Sequence, residues 1–218
     1  MDITQFIQLT KSHKIVPVFF HQDAAVVINT IEASYKGGVR IFEFVNRGLN
    51  GLETFKTIIP HFSKYEDLVI GVGTIYDSKT AAQFVEAGAQ FIVSPGLVPE
   101  LANYCVQNNI AYIPGIATIT EATTAMHLGC EMIKIFPANV IGSAFAKAVK
   151  SVLPQLAIMP TGGINPTENG LSEWFNAGVN CVGMGSQLFD KLKINNGDFK
   201  GLELDIEKAV ETALKLQS

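Results

Sequence analysis

The sequence is poor in charge and in cysteine. Only 17% of its 218 residues are Asp, Glu, Lys or Arg, and 48% are hydrophobic. This balance is typical of a chain that folds around one large core and excludes a disordered protein. The three cysteines, Cys105, Cys130 and Cys181, are too few and odd in number for a disulfide framework. We expect them to be core thiols in a reducing cytoplasm.

Long apolar runs, basic clusters and metal-binding patterns are missing too. No stretch reaches the roughly 18 apolar residues of a membrane span. The acidic start of the chain lacks the basic beginning and apolar centre of a signal peptide. With a net charge of -4 and scattered Lys and Arg, the chain offers no basic stripe to nucleic acid. The four histidines lack ligand spacing, so we expect no metal site, no membrane contact and a cytoplasmic protein.

One turn pattern recurs along the chain. A helix-like segment ends at Gly or Asn, residues that tolerate the left-handed backbone closing a helix, and an apolar run follows at once. Runs that are apolar on both faces are typical of parallel strands covered by helices on both sides. Eight strands are predicted, near residues 15–20, 40–45, 68–73, 91–94, 111–114, 131–136, 156–161 and 180–184.

Eight strand–helix units favour an α/β fold of the closed (β/α)8 or TIM barrel type, formed by one domain over residues 1–218. An open doubly wound sheet is the alternative, although such sheets usually have fewer strands. Amphipathic helices are expected over residues 1–12 and 201–217. A capping box starting at Thr118 and a proline at a first helical position, Pro166, predict two further helix starts.

The most informative residue is Lys134, which lies in an apolar, strand-like run. Lysine is rarely buried without a partner, and loss of water favours its neutral amine, a nucleophile for carbonyl carbon. A strand-end lysine that reaches solvent would be the ordinary alternative. In a barrel, however, strands two and six face each other, and the two-residue period can point Glu43 and Lys134 inward together. The pair is then either catalytic or a structural ion pair, and buried ion pairs stabilise weakly.

Other candidate residues follow the strand ends, where barrels of this type carry their active sites. Arg47 shares a strand face with Glu43 if the extended backbone continues that far. Two glycine-rich turns, at residues 160–164 and 183–186, follow the last two strands. Backbone amides in these two loops are the recurrent phosphate site of the fold. Strands three to five end in small residues, which leave room for a substrate.

Taken in order, these motifs resemble those of the family of 2-keto-3-deoxy-6-phosphogluconate (KDPG) aldolase and its relative acting on 4-hydroxy-2-oxoglutarate (KHG). The family patterns Glu-Val-Thr-Leu-Arg, Gly-Ala-Gly-Thr, Ser-Pro-Gly, Phe-Lys-Phe-Phe-Pro-Ala and Pro-Thr-Gly-Gly-Ile are matched at residues 43–47, 71–74, 94–96, 133–138 and 160–164. The resemblance covers roughly residues 14 to 190. Val45 and Asn46 depart from it, replacing a threonine and a leucine beside Glu43.

The resemblance implies a class I aldolase that needs no metal or organic cofactor and assembles as a homotrimer. Its substrate would be a small 2-oxo acid, with the glycine turns favouring a phosphorylated one, as in the Entner-Doudoroff pathway. Lys134 would form the Schiff base and Glu43 would move protons. The implied substrate-binding residues, all at strand ends, are Arg47, Thr74, Pro95, Phe136, Thr161, Gly162, Gly163, Gly185 and Ser186.

Two other functions stay open. A metal-dependent phosphosugar barrel, such as an epimerase, would need histidines and acids at the strand ends, where this chain has few. A catalytically silent phosphosugar-binding protein would keep the pocket without needing Lys134 or Glu43.

Overall fold

The computed structural model describes residues 1–216, in which strands and helices alternate as predicted. The strands are β1 (Ile15–Phe19), β2 (Ile41–Val45), β3 (Val69–Gly73), β4 (Phe91–Val93), β5 (Ala111–Ile113), β6 (Gly115–Ile116), β7 (Met132–Ile135), β8 (Ala157–Pro160) and β9 (Val182–Met184). Every predicted strand is present; the fifth, predicted near residues 111–114, ends as β5 at Ile113, and an additional short strand, β6, follows it. The division falls at Pro114, which has no N–H to donate to a ladder.

Helices follow the strands and also close both ends of the described chain. They are α1 (Ile3–Ser12), α2 (Ala24–Lys36), α3 (Gly51–Ile58), α4 (Ser78–Glu86), α5 (Pro99–Gln107), α6 (Ile119–His127), α7 (Ala138–Ile141), α8 (Ser143–Val152), α9 (Glu168–Phe175), α10 (Lys191–Asn195) and α11 (Phe199–Lys215), with a 3-10 turn at Ile59–Phe62. The two predicted terminal helices are α1 and α11. Residue 217, the predicted end of the second, lies outside the described residues.

The strand pairings are parallel throughout residues 1–216. One sheet has the order β5-β4-β3-β2-β1-β9, and a second has the order β6-β7-β8. A single bridge between Thr161 and Gly183 connects the ends of β8 and β9. The fold is therefore a curled parallel α/β sheet, and the closed barrel predicted from the sequence is seen only in part. The strand order shows none of the reversal that defines a doubly wound sheet.

The inner face of this sheet positions the site. Alternate strand residues, among them Ile41 and Met132, form an inner apolar cluster that also contains Phe6 of α1. Because strand side chains alternate between faces, the residues two positions further along β2 and β7 share this inner face. Those residues are Glu43 and Lys134. The inner apolar layer thus directs the two polar side chains into the space enclosed by the strands.

The helix starts show where local sequence signals succeed. The capping box is confirmed, because the Thr118 hydroxyl accepts the backbone N–H of Glu121 at 3.2 Å. The prediction for Pro166 is wrong, since α9 begins two residues later, at Glu168. Thr167 is the cap there, and its hydroxyl accepts a backbone N–H of the first turn. A side chain that can accept this bond determines the start more strongly than the fixed dihedral angle of proline.

Two kinds of feature are absent from residues 1–216. No helix in this part of the chain is long and apolar enough to cross a membrane. No group of three His, Cys, Asp or Glu side chains is placed to hold a metal ion.

The three cysteines are buried free thiols, and burial raises the pKa of Cys105, Cys130 and Cys181 to about 12 each. Because the thiolate is the reactive form, we expect a disulfide reagent at pH 8 to label the native protein very slowly. After unfolding in guanidinium chloride, all three thiols should react at once. The measurement is the absorbance of the released thiolate, and rapid labelling of the native chain would contradict the burial described above.

Candidate active site

Strands β2 and β7 bring the two predicted catalytic side chains together inside the sheet. The Lys134 Nζ lies 3.5 Å from Glu43 Oε1, which is longer than a typical N–H···O hydrogen bond. Lys134 is 5% exposed and Glu43 is 1% exposed. The inward orientation predicted from the strand period is confirmed, and so is the meeting of the amine and the carboxyl group across the strands.

Burial governs the charge state of the Glu43 carboxyl group. Burial raises the pKa of Glu43 above its ordinary value, and the nearby Lys134 offsets the increase only in part. The second carboxyl oxygen, Oε2, is buried and has no hydrogen-bond partner among the described residues. Burial therefore favours the protonated, uncharged form of the Glu43 carboxyl group beside the Lys134 amine.

Glycines on neighbouring strands make the room that these polar side chains occupy. A Cβ built on Gly73 of β3 would lie 1.8 Å from Glu43 Oε1. A Cβ on Gly183 of β9 would lie 2.1 Å from Thr161 Oγ1. Both distances are far below any real contact, so neither glycine can be replaced while its neighbour keeps this position. Glycine is required here for space and not for backbone freedom.

The turn after β4 packs close to the lysine. Gly115 is the register partner of Lys134, and a Cβ on it would lie 2.1 Å from the carbonyl oxygen of Pro95. The turn is fixed from below by Ser94, whose Oγ lies 2.6 Å from the hydroxyl oxygen of buried Tyr112. This contact holds the turn that carries Pro95 against β6, the strand that pairs with β7.

A cleft opens at the carboxyl ends of β8, β9, β1 and β2. Seven of the nine predicted substrate-binding residues line it: Arg47, Phe136, Thr161, Gly162, Gly163, Gly185 and Ser186. Lys134 does not line the cleft, whereas Phe136 does. The Lys134 Nζ lies 5.3 Å from the centre of the Phe136 ring. Phe136 therefore connects the open cleft with the buried pair.

The other two predicted residues stand outside that cleft. Pro95 lies close to Gly115, the register partner of Lys134. Thr74 is the first residue after β3 and has a φ of 65°, a left-handed backbone that residues other than glycine seldom adopt. It is half-buried and follows directly after Gly73. The structure therefore places Thr74 near the Glu43 side of the site and not with the glycine turns.

The first glycine turn is locked to the start of α7. Its carbonyl oxygens accept two backbone N–H groups, from Ala138 to Thr161 at 2.8 Å and from Asn139 to Gly162 at 3.0 Å. Gly163 has a φ of 70°, and a Cβ there would lie 2.5 Å from the Asn139 Cβ. The Thr161 hydroxyl in the same turn is buried without a partner among the described residues. This turn therefore presents a ligand with a backbone held in place by hydrogen bonds and with one hydroxyl group that is free to form a hydrogen bond.

Sequence reasoning missed about half of the cleft lining. The missed residues are Val18, Phe19, Phe20, Val45, Gln187, Phe189, Lys191 and Ile194. Most of them lie at or after the ends of the first and last strands, where they form no recognisable motif. The available signal was position alone, since a polar residue in a loop that follows a strand belongs to the mouth of this fold.

Comparison with known proteins gives consistent findings. The family model described as aldolase, KDPG and KHG aldolase, matches residues 6–204. The 2-dehydro-3-deoxy-phosphogluconate aldolase of Pseudoalteromonas atlantica is 34% identical over 200 residues, 91% of each chain. The KHG/KDPG aldolase of Escherichia coli K12 is 31% identical over 200 residues, 91% of this chain and 92% of that one.

Solved structures agree with the sequence relatives. A KDPG aldolase from Legionella pneumophila, with pyruvate captured at low pH as a covalent carbinolamine intermediate, has a TM-score of 0.81 to this chain at 28% identity. The similarity covers 97% of this chain and 98% of that one.

Proposed function

The chain belongs to the KDPG and KHG aldolase family and is an aldolase, and we propose that it cleaves its substrate through a Schiff base on Lys134. The proposed reactions are cleavage of 2-dehydro-3-deoxy-6-phosphogluconate to pyruvate and glyceraldehyde 3-phosphate, and of 4-hydroxy-2-oxoglutarate to pyruvate and glyoxylate. The observation that carries the proposal is the buried contact of 3.5 Å between Lys134 Nζ and Glu43 Oε1.

The first half of the reaction forms the iminium. Neutral Lys134 attacks the C2 carbonyl carbon of the 2-oxo acid, and the nitrogen's electron pair forms the new C–N bond as the C=O π electrons move onto oxygen. A proton passes from the nitrogen to that oxygen and gives the carbinolamine, with a hydroxyl group on C2. Glu43 supplies the proton with which the C2 hydroxyl leaves as water, a role suited to a carboxyl group whose pKa is raised by burial. The nitrogen is left as a cation doubly bonded to C2.

The second half breaks the carbon chain. Deprotonated Glu43 accepts the proton of the C4 hydroxyl, directly or through one water, and the C3–C4 bond breaks as an aldehyde forms at C4. The bonding electrons move into the iminium and leave an enamine. Protonation of the enamine at C3 gives the pyruvate iminium, and water then releases pyruvate and restores the amine. The iminium is the electron sink, so these steps call for no metal and no organic cofactor.

The cleft residues are proposed to hold the substrate around this chemistry. Arg47 would bind the C1 carboxylate in the bidentate geometry that suits a guanidinium group, with help from Thr74. Phe136 and Pro95 would enclose the three-carbon unit and keep water scarce. Thr161 would meet a substrate hydroxyl with its unpartnered oxygen. The backbone amides of the two glycine-rich turns would bind the phosphate, through Gly162, Gly163, Gly185 and Ser186.

We infer a closed eight-stranded barrel that forms one domain over residues 1–218. Two connections between the sheets support this closure: the bridge between Thr161 and Gly183, and the direct passage of the chain from β5 to β6 at Pro114. We also propose a homotrimer in the cytoplasm, acting in the Entner-Doudoroff pathway on a small phosphorylated 2-oxo acid and binding neither nucleic acid nor membrane.

The deciding experiment supplies both substrates separately and measures pyruvate with lactate dehydrogenase and NADH. We expect release from at least one, unaffected by a chelator. Borohydride added with pyruvate should then reduce the Schiff base and leave a 1-carboxyethyl group on the Lys134 nitrogen, which peptide mass spectrometry detects. Absence of pyruvate from both substrates would favour the silent binding protein, and an unmodified Lys134 peptide would remove the Schiff base from the proposal.

A further inference from the structure

The cleft has an uneven charge. Its lining contains two cationic side chains, Arg47 and Lys191, and within residues 1–216 no Asp or Glu belongs to it. A concave surface of one sign raises the local concentration of ligands of the other sign. One of the two cations already has a proposed partner in the substrate carboxylate. Lys191 has no place in the reaction described above.

Lys191 stands on the side of the cleft that carries the glycine turns. The strand ends that border the cleft follow the order β8, β9, β1, β2. Gly162 and Gly163 follow β8, Ser186 and Lys191 follow β9, and Arg47 follows β2. The loop of β1 therefore separates the two cations. An extended substrate with its carboxylate at Arg47 would direct its other end toward Lys191.

The Lys191 amine is also without an internal partner. Among the described residues it forms none of the ion pairs, whereas Lys193, two residues further along α10, pairs with Asp205 and donates to the carbonyl of Gly201 at 3.1 Å. The adjacent acid, Asp190, is occupied as the cap of α10, where its Oδ1 accepts the N–H of Leu192 at 2.7 Å. An exposed cation that lines a cleft without a counter-ion is suited to an anionic ligand.

We propose that Lys191 binds the distal phosphate of a phosphorylated 2-oxo acid and makes the enzyme selective for such substrates. This inference rests on the proposed function and deepens it. In 2-dehydro-3-deoxy-6-phosphogluconate the phosphate lies two carbons and an ester oxygen beyond C4, whereas 4-hydroxy-2-oxoglutarate ends in a carboxylate attached directly to C4. The flexible ammonium group of lysine reaches the first anion at a point where the shorter substrate has no charge.

The test compares kcat/KM for the two substrates in four proteins: wild type, Lys191→Met, Lys191→Arg and Lys193→Met. Lys193→Met is the matched control, because it removes a charge from the same helix outside the cleft. We expect Lys191→Met to lower the ratio of phosphorylated to unphosphorylated kcat/KM about 10-fold, through KM, as loss of one charged hydrogen bond predicts. Lys191→Arg should retain most of the ratio. Added salt should shrink the difference between wild type and Lys191→Met by screening.

Inorganic phosphate is a second probe, independent of turnover of the longer substrate. Its inhibition constant should rise in Lys191→Met and stay unchanged in Lys193→Met. Equal losses on both substrates, an unchanged ratio, or cleavage of 4-hydroxy-2-oxoglutarate alone would overturn the inference while leaving the aldolase proposal intact. A wild-type protein that releases pyruvate from neither substrate would instead overturn the proposed function, and the inference would fall with it.

Discussion

Lys134→Ala is expected to abolish pyruvate release from both substrates, by roughly 10⁴-fold or more, as removal of an enzymic nucleophile usually does. The physical reason is that no neighbouring group can replace the amine as the atom that bonds to C2. The fold should survive, because the neutral form of Glu43 that burial favours needs no counter-ion. The measurement is steady-state turnover, together with borohydride trapping in the presence of pyruvate.

Lys134→Met is the matched variant for this experiment, since methionine restores most of the volume that alanine leaves empty. Both variants should lose the covalent adduct, and near-ultraviolet circular dichroism should show native packing in both. Residual turnover within 100-fold of wild type in a folded Lys134→Met protein would show that another group performs the addition.

Adding a single methyl group at Gly73 is expected to disable the enzyme by displacing the neighbouring Glu43 side chain. In Gly73→Ala the new carbon would overlap the Glu43 carboxylate, which must move away from Lys134. We expect kcat to fall roughly 10²- to 10⁴-fold, the usual contribution of a positioned acid or base. Glu43→Gln should fall in the same range. In both variants the exchange of pyruvate methyl protons with deuterated water, followed by NMR, should slow far more than pyruvate binding weakens.

Gly96→Ala is the control for this pair, because a Cβ on Gly96 meets nothing within 4 Å and the residue belongs to the adjacent turn. It should retain near wild-type exchange. If Gly73→Ala kept its proton exchange, Glu43 would not need its observed position. If exchange and binding declined in parallel in Glu43→Gln, the carboxyl group would position the substrate and would not move protons.

The strand pattern and the central pair could be predicted because both follow from periodicity. Glycine at the ends of helices, runs apolar on both faces and the alternation of strand side chains depend on near neighbours in the sequence. Lys134 and Glu43 are separated by 91 positions. They met as predicted because the number of strands between them determined which two strands face each other.

The features that sequence reasoning missed depend on long-range contacts. The division between β5 and β6 falls at Pro114, which lacks the N–H that a strand ladder uses. The partners in that ladder are strands distant in the sequence, so the residues around Pro114 do not reveal them. The space at Gly73 is defined only by the side chain of the neighbouring strand. Lys191 resembles any other surface lysine until the glycine turns beside it are known. The roles of such residues depend on neighbours that only the folded chain brings together.

Helix α1 has a consequence for how this protein can change. Its Phe6 ring lies 4.7 Å from the Phe91 ring and closes the amino-terminal end of the strands, where the inner apolar cluster gathers. The apolar cluster that stabilises the interior thus lies at the opposite end of the strands from the loops that select the ligand. Substitutions at Gln187 or Lys191 touch none of that cluster, and effects at separated sites usually add independently. Evolution or a protein engineer can therefore exchange specificity residues at the rim, one after another, without eroding the scaffold.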